Sequence, residues 1–480
     1  MDGLEYTYKE RQRGHSRALV FAILLNPLVP PLAIMAINFI NQPSSEGTTG
    51  LPKHVIQLVS EAIDSASSEL RRLNLEIWNN PETRFKEEKA CKLLAGWFES
   101  QGWTVKTGVY GISTAFEARF SVTPGERSVC YNAEYDALPE LGHACGHNLI
   151  ATSTLASAVG TSAAMKELKI PGTLIVMGTP AEETGGGKYI MANHGAWKDC
   201  SVVLMTHAMP DFSTARTVTK ASWKFRAKFH GKAAHAAAAP WNGNNACDAI
   251  VMAYNGLGLL RQQIQKTESI QSVILEAGKA PNIIPDYAEG SFSLRAFDSK
   301  ALERLRSRVI PIFDGAAAST GCTVELFWDA LYEDVVTNMA LASRYTHYMI
   351  NDLGLTPADI LPPSDLSAKV DQNGSSYVAR RNTTLEPSQK TLTLQISSDF
   401  GNCSYIQPGI QTLFSINATD MPHTPSFQKA AGTDFAHTES LRAGKANALI
   451  GLEVLLDEGF YKEIKSDWIN DMKERGRLPE

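Results

Sequence analysis

Five separated stretches of this chain carry side chains that bind metals or move protons: Ala-Glu-Tyr-Asp-Ala-Leu-Pro (133–139), Gly-His-Ala-Cys-Gly-His (142–147), Thr-Pro-Ala-Glu-Glu (179–183), Met-Thr-His (205–207) and Met-Pro-His-Thr (421–424). Cys145 and His147 stand two apart, Glu182 and Glu183 are adjacent, and His207 and His423 come from distant segments. Together they supply thiolate, imidazole and carboxylate donors in numbers suited to two divalent ions. That pattern points to a two-metal hydrolase.

In an adjacent Glu pair, one carboxylate can hold an ion while its neighbour stays free to take a proton from water. Two ions about 3.5–4 Å apart lower the pKa of bound water to about 7 and can hold both nucleophile and substrate oxygen. No covalent nucleophile is then required. Each residue alone has a plainer reading: an isolated His is usually a satisfied structural group, a Glu pair a solvated face, and Cys145 a small buried hydrophobe.

What changes the reading is the elements that must position them. Residues 174–177 (Leu-Ile-Val-Met) and 201–205 (Ser-Val-Val-Leu-Met) read as buried strands that end just before the Glu pair and before His207. In open α/β sheets the site lies beyond the carboxyl ends of the strands. Apolar spacing over 55–73 predicts an amphipathic first helix, and alternation over 223–230 a half-buried strand. Helices are expected over 246–265 and 301–319, with a strand between them at 288–297. The result is a β-α-β-α-β unit inserted at about 216–330. A helix over 440–456 would close the chain's return.

As a set, these motifs resemble peptidase family M20, the carboxypeptidase, aminoacylase and amidohydrolase group of co-catalytic metallopeptidases. Residues 135–148 (Tyr-Asp-Ala-Leu-Pro-Glu-Leu-Gly-His-Ala-Cys-Gly-His-Asn) and 397–404 (Ser-Ser-Asp-Phe-Gly-Asn-Cys-Ser) are most similar to its β-alanyl-lysine dipeptidase branch, near p-aminobenzoyl-glutamate hydrolase. The resemblance implies an α/β fold: a di-metal exopeptidase-type catalytic domain (51–215 and 331–480) interrupted by a smaller α+β lid or dimerisation domain (216–330). It implies Cys145, His147, Glu183, His207 and His423 as metal ligands and Glu182 as general base and acid. Asp136 would orient a metal-bound imidazole, a use with a clear physical basis.

From the inserted unit, the resemblance implies that His235 stabilises the oxyanion, a role for a donor aimed where charge develops. Asn282 and Arg295 would bind substrate. The planar fork of Arg suits a carboxylate, so a small dipeptide or N-acyl amino acid with a free carboxyl end is implied. Two divalent ions are expected; zinc, manganese, cobalt and nickel all accept these donors. A homodimer through the inserted domain is implied as well, with His235 completing the neighbouring subunit's site. Two departures stand out. The His-x-Asp of many relatives is here Glu134-Tyr135-Asp136, which leaves one metal's ligand to Cys145 or His147, and Asn148 replaces an Asp. A catalytically silent homologue that binds a carboxylate ligand or a protein is the competing reading, and the complete ligand set weighs against it.

Composition sets ordinary bounds. With 480 residues, 44% of them hydrophobic, the chain is long enough for two domains with proper cores. A net charge of -6 with mixed signs leaves no basic stripe, so nucleic acid is not an expected partner. Seven cysteines without disulfide-like spacing fit reduced thiols and favour a cytoplasmic setting. Residues 1–50 form an extension: a largely apolar run at 18–40 after Arg11, Arg13 and Arg17, then a linker at 41–50. The run is long enough for a single-pass membrane anchor but is interrupted by Asn26, Pro27, Pro30, Pro31 and Asn38. Residues 362–391, rich in Pro, Ser and Asn, read as a long surface loop.

Overall fold

The computed structural model describes residues 50–360, 378–379, 392–394 and 396–478. The apolar run at 18–40 lies outside them, as does nearly all of the 362–391 segment. Among the described residues no helix is long and apolar enough to cross a membrane.

The elements run in the order α1 (Lys53–Asn79), α2 (Glu88–Ser100), β1 (Thr104–Thr107), β2 (Phe116–Phe120), β3 (Ser128–Glu134), α3 (His147–Leu168), β4 (Thr173–Thr179), α4 (Glu182–Gly185), α5 (Gly187–Asn193) and β5 (Val202–Met209). The inserted stretch follows as β6 (Thr217–Val218), β7 (Ala221–His230), β8 (Ala234–His235), α6 (Ala246–Leu260), β9 (Ser269–Glu276), β10 (Ile283–Ile284), β11 (Tyr287–Ala296), α7 (Ser299–Thr320) and β12 (Thr323–Tyr332). The return comprises α8 (Met339–Asn351), α9 (Pro357–Ile360), β13 (Val378–Ala379), β14 (Leu392–Thr393), α10 (Phe400–Ser404), β15 (Gly409–Ser415), α11 (Pro425–Ala431), α12 (Asp434–Leu456) and α13 (Glu458–Glu474).

A six-stranded sheet in the order β1-β2-β4-β3-β5-β15 organises the larger body. Its inner strands are parallel, β4 to β3, β3 to β5 and β5 to β15, and are therefore buried on both faces. The two-residue period sorts their side chains cleanly. Val129, Tyr131, Leu174, Val176, Val202 and Leu204 enter the core shared with α1, α3 and α12, whereas Cys130, Ile175, Met177, Val203 and Met205 face the opposite core with Trp197 and Phe400. Helix α3 is buried along nearly its whole circumference. Small residues permit this: a Cβ at Gly444 of α12 would lie 2.7 Å from both the Ser153 carbonyl oxygen and the Ala156 Cβ of α3.

The inserted stretch builds a four-stranded antiparallel sheet, β12-β7-β11-β9, covered by α6 and α7 around its own apolar core of Phe225, Phe229, Phe292 and Phe313. It is β-α-β-β-α-β, one strand more than the sequence pattern predicts. The additional strand, β9, occupies the sheet edge with Val273, Ile274 and Leu275 all exposed, so its residues lack the in-out alternation that marks β7 and β11. The helix expected over 246–265 ends earlier, at Leu260, and passes into a short 3-10 turn. The strand expected ahead of the Glu pair is present as β4; the one expected to end before His207 is β5, which instead runs through His207 to Met209, and the helix expected over 440–456 begins a turn and a half sooner.

Gly444→Ala is expected to force α12 and α3 apart against a backbone carbonyl. It should destabilise the protein by roughly 1–3 kcal/mol, read as a lowered midpoint in denaturant titrations without a change in slope.

Candidate metal centre

Every proposed ligand and catalytic carboxylate sits at a carboxyl end of the large sheet or on the segment that follows it. Asp136 comes just after β3, Glu182 and Glu183 three and four residues after β4, and His207 near the end of β5. His423 follows β15, and His147 is the first residue of α3. Left-handed backbone makes the sharp entries: Gly146 (φ +78°) and Ala181 (φ +63°) precede the ligand-bearing helices, and His423 itself has φ +72°. Gly146 has a packing reason too, because a Cβ there would come within 3.0 Å of Ala208.

Three overlapping groups have donor atoms within 4.8 Å of one another: Cys145 with His147 and His207, Cys145 with Glu183 and His423, and His147 with Glu182 and Glu183. Cys145, His147 and Glu183 each belong to two of them, so the three groups merge into one continuous cluster of donors. The Cys145 Sγ is 3.5 Å from His207 Nε2, and His423 Nε2 is 3.3 Å from a Glu183 oxygen.

The surrounding hydrogen bonds decide which atoms are left to bind. Asp136 takes His147 Nδ1 at 3.0 Å on one oxygen and the Glu183 backbone N–H at 3.0 Å on the other. The Ala208 carbonyl oxygen lies 2.8 Å from His207 Nδ1, and a carbonyl can only accept, so that nitrogen carries the proton and Nε2 keeps its lone pair. Three buried atoms at the centre have no hydrogen-bond partner: His147 Nε2, Glu183 Oε1 and Glu134 Oε2. Orphaned polar atoms are costly in a protein interior. A thiol, three imidazoles and a carboxylate converging on one space fit divalent transition metals.

The electrostatics agree. Burial works against charge on His147, but Asp136, Cys145 and Glu134 outweigh it and hold its pKa well above the usual imidazole range. Burial, then Glu134, Asp399 and Glu183, pushes the Glu182 carboxyl well above its ordinary value. Burial and Glu183 do the same to the Cys145 thiol. His207 moves the other way, through burial and the nearby His147 charge. This surplus of negative potential is what a bound cation neutralises, and it would take the place of the thiol proton.

Beneath the centre lies a charged cluster that sequence reasoning passed over. Lys188 is fully buried; its ammonium pairs with Glu134 and with Asp399 (2.7 Å), and its backbone N–H donates to the other Asp399 oxygen at 2.9 Å. The opposite Glu134 oxygen faces His147 Nε2 at 3.4 Å. Glu87 accepts from the backbone N–H of Ala181 at 3.1 Å and from Thr114 at 2.9 Å, with its pKa pushed up to about 7 by burial and then by Asp136. Asp399 lies in the 397–404 motif and Glu134 in the 133–139 motif, which was the available signal; Glu87 has none. Asn148, the second departure, bonds Asn74 and the Ala431 carbonyl and so ties α1 to α11 instead of shaping the ligand shell.

The inserted-sheet residues stand apart from the ligand groups. His235 and Asn282 are exposed neighbours on the β8–β10 pair, where the Asn282 carbonyl accepts from the Ala236 N–H at 3.0 Å. The His235 Nδ1 accepts from the N–H groups of Ala237 and Ala238, which leaves Nε2 as a donor directed outward. Arg295, on β11, donates to Ser397 Oγ at 3.1 Å. Lys220 is close by: burial, then the Arg295 charge, lowers its pKa.

Residues 217–320 match the family model for a peptidase dimerisation domain. The chain is 36% identical over 444 residues to a Mus musculus Xaa-Arg dipeptidase, covering 89% of this chain and 96% of that protein. It is 28% identical to a subunit of the p-aminobenzoyl-glutamate hydrolase of Escherichia coli strain K12, over 86% and 95% of the two chains. Among solved structures, a dinuclear metal binding peptidase of the M20 family from Bacillus subtilis superposes with a TM-score of 0.56 at 19% identity, covering 81% of this chain and 99% of that one.

Asp136→Asn retains the shape but turns one acceptor into a donor, breaking the bond to His147 or to the Glu183 N–H. Metal affinity, measured by competition with a chelator, should fall about tenfold to a hundredfold while the fold persists.

Proposed function

The chain belongs to the M20 metallopeptidase family, and on that premise we propose that it hydrolyses the amide bond of small dipeptides or N-acyl amino acids bearing a free carboxylate. The observation that carries the reading is the convergence of Cys145, His147, Glu183, His207 and His423 in three overlapping donor groups, with Glu182 beside Glu183 in the third. We assign Cys145, His147, Glu183, His207 and His423 as the metal ligands. When bound, the ions supply Lewis acidity, lowering the pKa of water and polarising the scissile carbonyl.

The chain's own residues do the rest. Glu182, buried and raised in pKa, accepts the proton of the attacking water and returns it to the leaving amine. Asp136 keeps His147 in the tautomer that presents Nε2. Arg295 receives the substrate carboxylate, helped by Lys220. Asn282 completes that grip, and His235 donates from Nε2 to the oxygen that gains charge.

His235 and Asn282 are exposed and outside the ligand groups, which supports their serving the site of a partner in a homodimer. The apolar edge of β9 and the exposed Val251, Met252 and Leu259 of α6 offer the surface for such a contact. The inserted unit is taken as 216–330, with zinc, manganese, cobalt and nickel all compatible with the donors. Among substrates, the named relatives direct attention to Xaa-Arg dipeptides and aryl glutamates.

Screening metal-replete protein against Xaa-Arg dipeptides, β-alanyl dipeptides, N-acyl amino acids and aryl glutamates tests the reading. Turnover of none of them would favour the silent homologue. Glu182→Gln should lower kcat by several orders of magnitude with metal content near wild type, whereas Glu183→Gln should deplete metal; the reverse result would exchange their roles. His235→Ala should lower kcat more than it raises KM, and a proven monomer should be poorly active. Full activity in that monomer would sink the cross-subunit role alone.

A further inference from the structure

The turn that carries Glu182 is held from outside its own sheet. The Tyr332 hydroxyl donates to the Glu182 carbonyl oxygen and accepts from the Gly186 N–H at 3.0 Å, so one phenol spans both ends of α4. The approach is close: a Cβ on Gly186 would run into the Ala330 Cβ and stand 3.1 Å from the Tyr332 ring. The turn has little room to shift by itself, because the Ala181 carbonyl accepts from both Gly185 and Gly187, and a Cβ on Gly187 would strike the Pro180 oxygen.

Tyr332 is the last residue of β12, in the inserted sheet, and it pairs with Ser222 of β7. On its other side, Ser222 pairs with Arg295 of β11. Tyr332, Ser222 and Arg295 therefore form one rung across three strands, with their side chains on one face of the sheet. Strands in a sheet lie about 4.8 Å apart, so the ends of the rung are separated by roughly two such spacings. One end touches the turn of the base; the other is the proposed grip on the substrate carboxylate. The Leu331 carbonyl, which accepts from Asn402 at 3.1 Å, pins the rung's near end.

We infer that Tyr332 is a positioning residue: its hydroxyl fixes the Glu182 turn to the strand rung bearing Arg295, and so sets the distance between the base and the substrate's carboxylate end. The inference rests on the roles given above to Glu182 and Arg295. Tyr332 takes no part in proton transfer. It acts through Glu182, and displacement of a reacting group by about 1 Å is enough to cost roughly a hundredfold in rate.

The test uses the metal-loaded full chain and whichever member of the substrate panel is turned over fastest. Tyr332→Phe should lower kcat about tenfold to a hundredfold per metal-loaded site. KM should change less than about threefold and metal stoichiometry not at all. Amide hydrogen exchange should quicken over 182–187 and stay unchanged in β7, β11 and β12. Unaltered kcat overturns the inference; so does a loss accompanied by metal depletion or by faster exchange across the whole inserted sheet, either of which marks a merely structural role. If Tyr332→Phe fails to fold, Tyr332→His, which keeps one donor and one acceptor, carries the comparison with the same expected readouts at a smaller loss. Glu182→Gln run in parallel separates the two levels. If that variant retains turnover, the assignment of the base fails and takes this inference with it; if it is inactive while Tyr332→Phe matches wild type, only the inference falls.

Discussion

The site depends on how the chain tolerates five buried carboxylates in one region. Glu134, Asp136, Glu182, Glu183 and Asp399 converge around a single buried ammonium, that of Lys188, and a set of imidazoles. In a low dielectric, like charges at such separations cannot all stay ionised without counter-charge. Lys188 compensates the Glu134–Asp399 side, with burial still pushing Asp399 up to about 6. On the other side Asp136 and Glu183 face imidazoles, and both sit below the ordinary carboxyl range despite burial. Glu182 has only the edge of His147, whose Nε2 is 4.0 Å from its Oε2, against the charges of Glu134, Asp399 and Glu183. Burial and those neighbouring carboxylates drive it well above its ordinary value, a shift in the direction a proton shuttle requires.

The architecture supplies that arrangement cheaply in chain length. Parallel strands end together, so β3, β4, β5 and β15 deliver four segments to one edge, and α3 brings the Cys145–His147 pair back across them. Asp136 then joins two of those segments through one carboxylate, bonding an imidazole from the first and a backbone N–H from the second. The ligand geometry is thereby linked to the strand register rather than to loop conformation, and preorganisation of this kind keeps donors within reach of a shared ion.

Much of this was legible in the sequence because the informative residues are local. Cys145 and His147 are two apart, the Glu pair is adjacent, and the strands before them are continuous apolar runs; all three signals survive without knowledge of the fold. Tyr332, Lys188 and Glu87 left no comparable trace. Their partners lie far away along the chain, as with Tyr332 and Glu182, so no window of sequence contains both halves of the interaction. Strand β9 escaped for a different reason: an edge strand with both faces partly open has no burial alternation to read. The bond between Asp136 and His147 stands between these cases, since the resemblance anticipated a carboxylate there and the geometry supplies it at 3.0 Å.

The chain order of the candidate ligands carries a consequence for biosynthesis. Cys145, His147 and His207 all precede the inserted sheet, whereas the trio of Cys145, Glu183 and His423 needs a residue that follows it. A nascent chain emerging from its N-terminal end therefore holds every donor of the first trio long before the second can close. At that stage β5 is an edge strand, because its neighbour β15 has yet to be made. Two of the three candidate donor groups are thus complete in a half-translated polypeptide, and only the group containing His423 waits for the inserted unit to be synthesised.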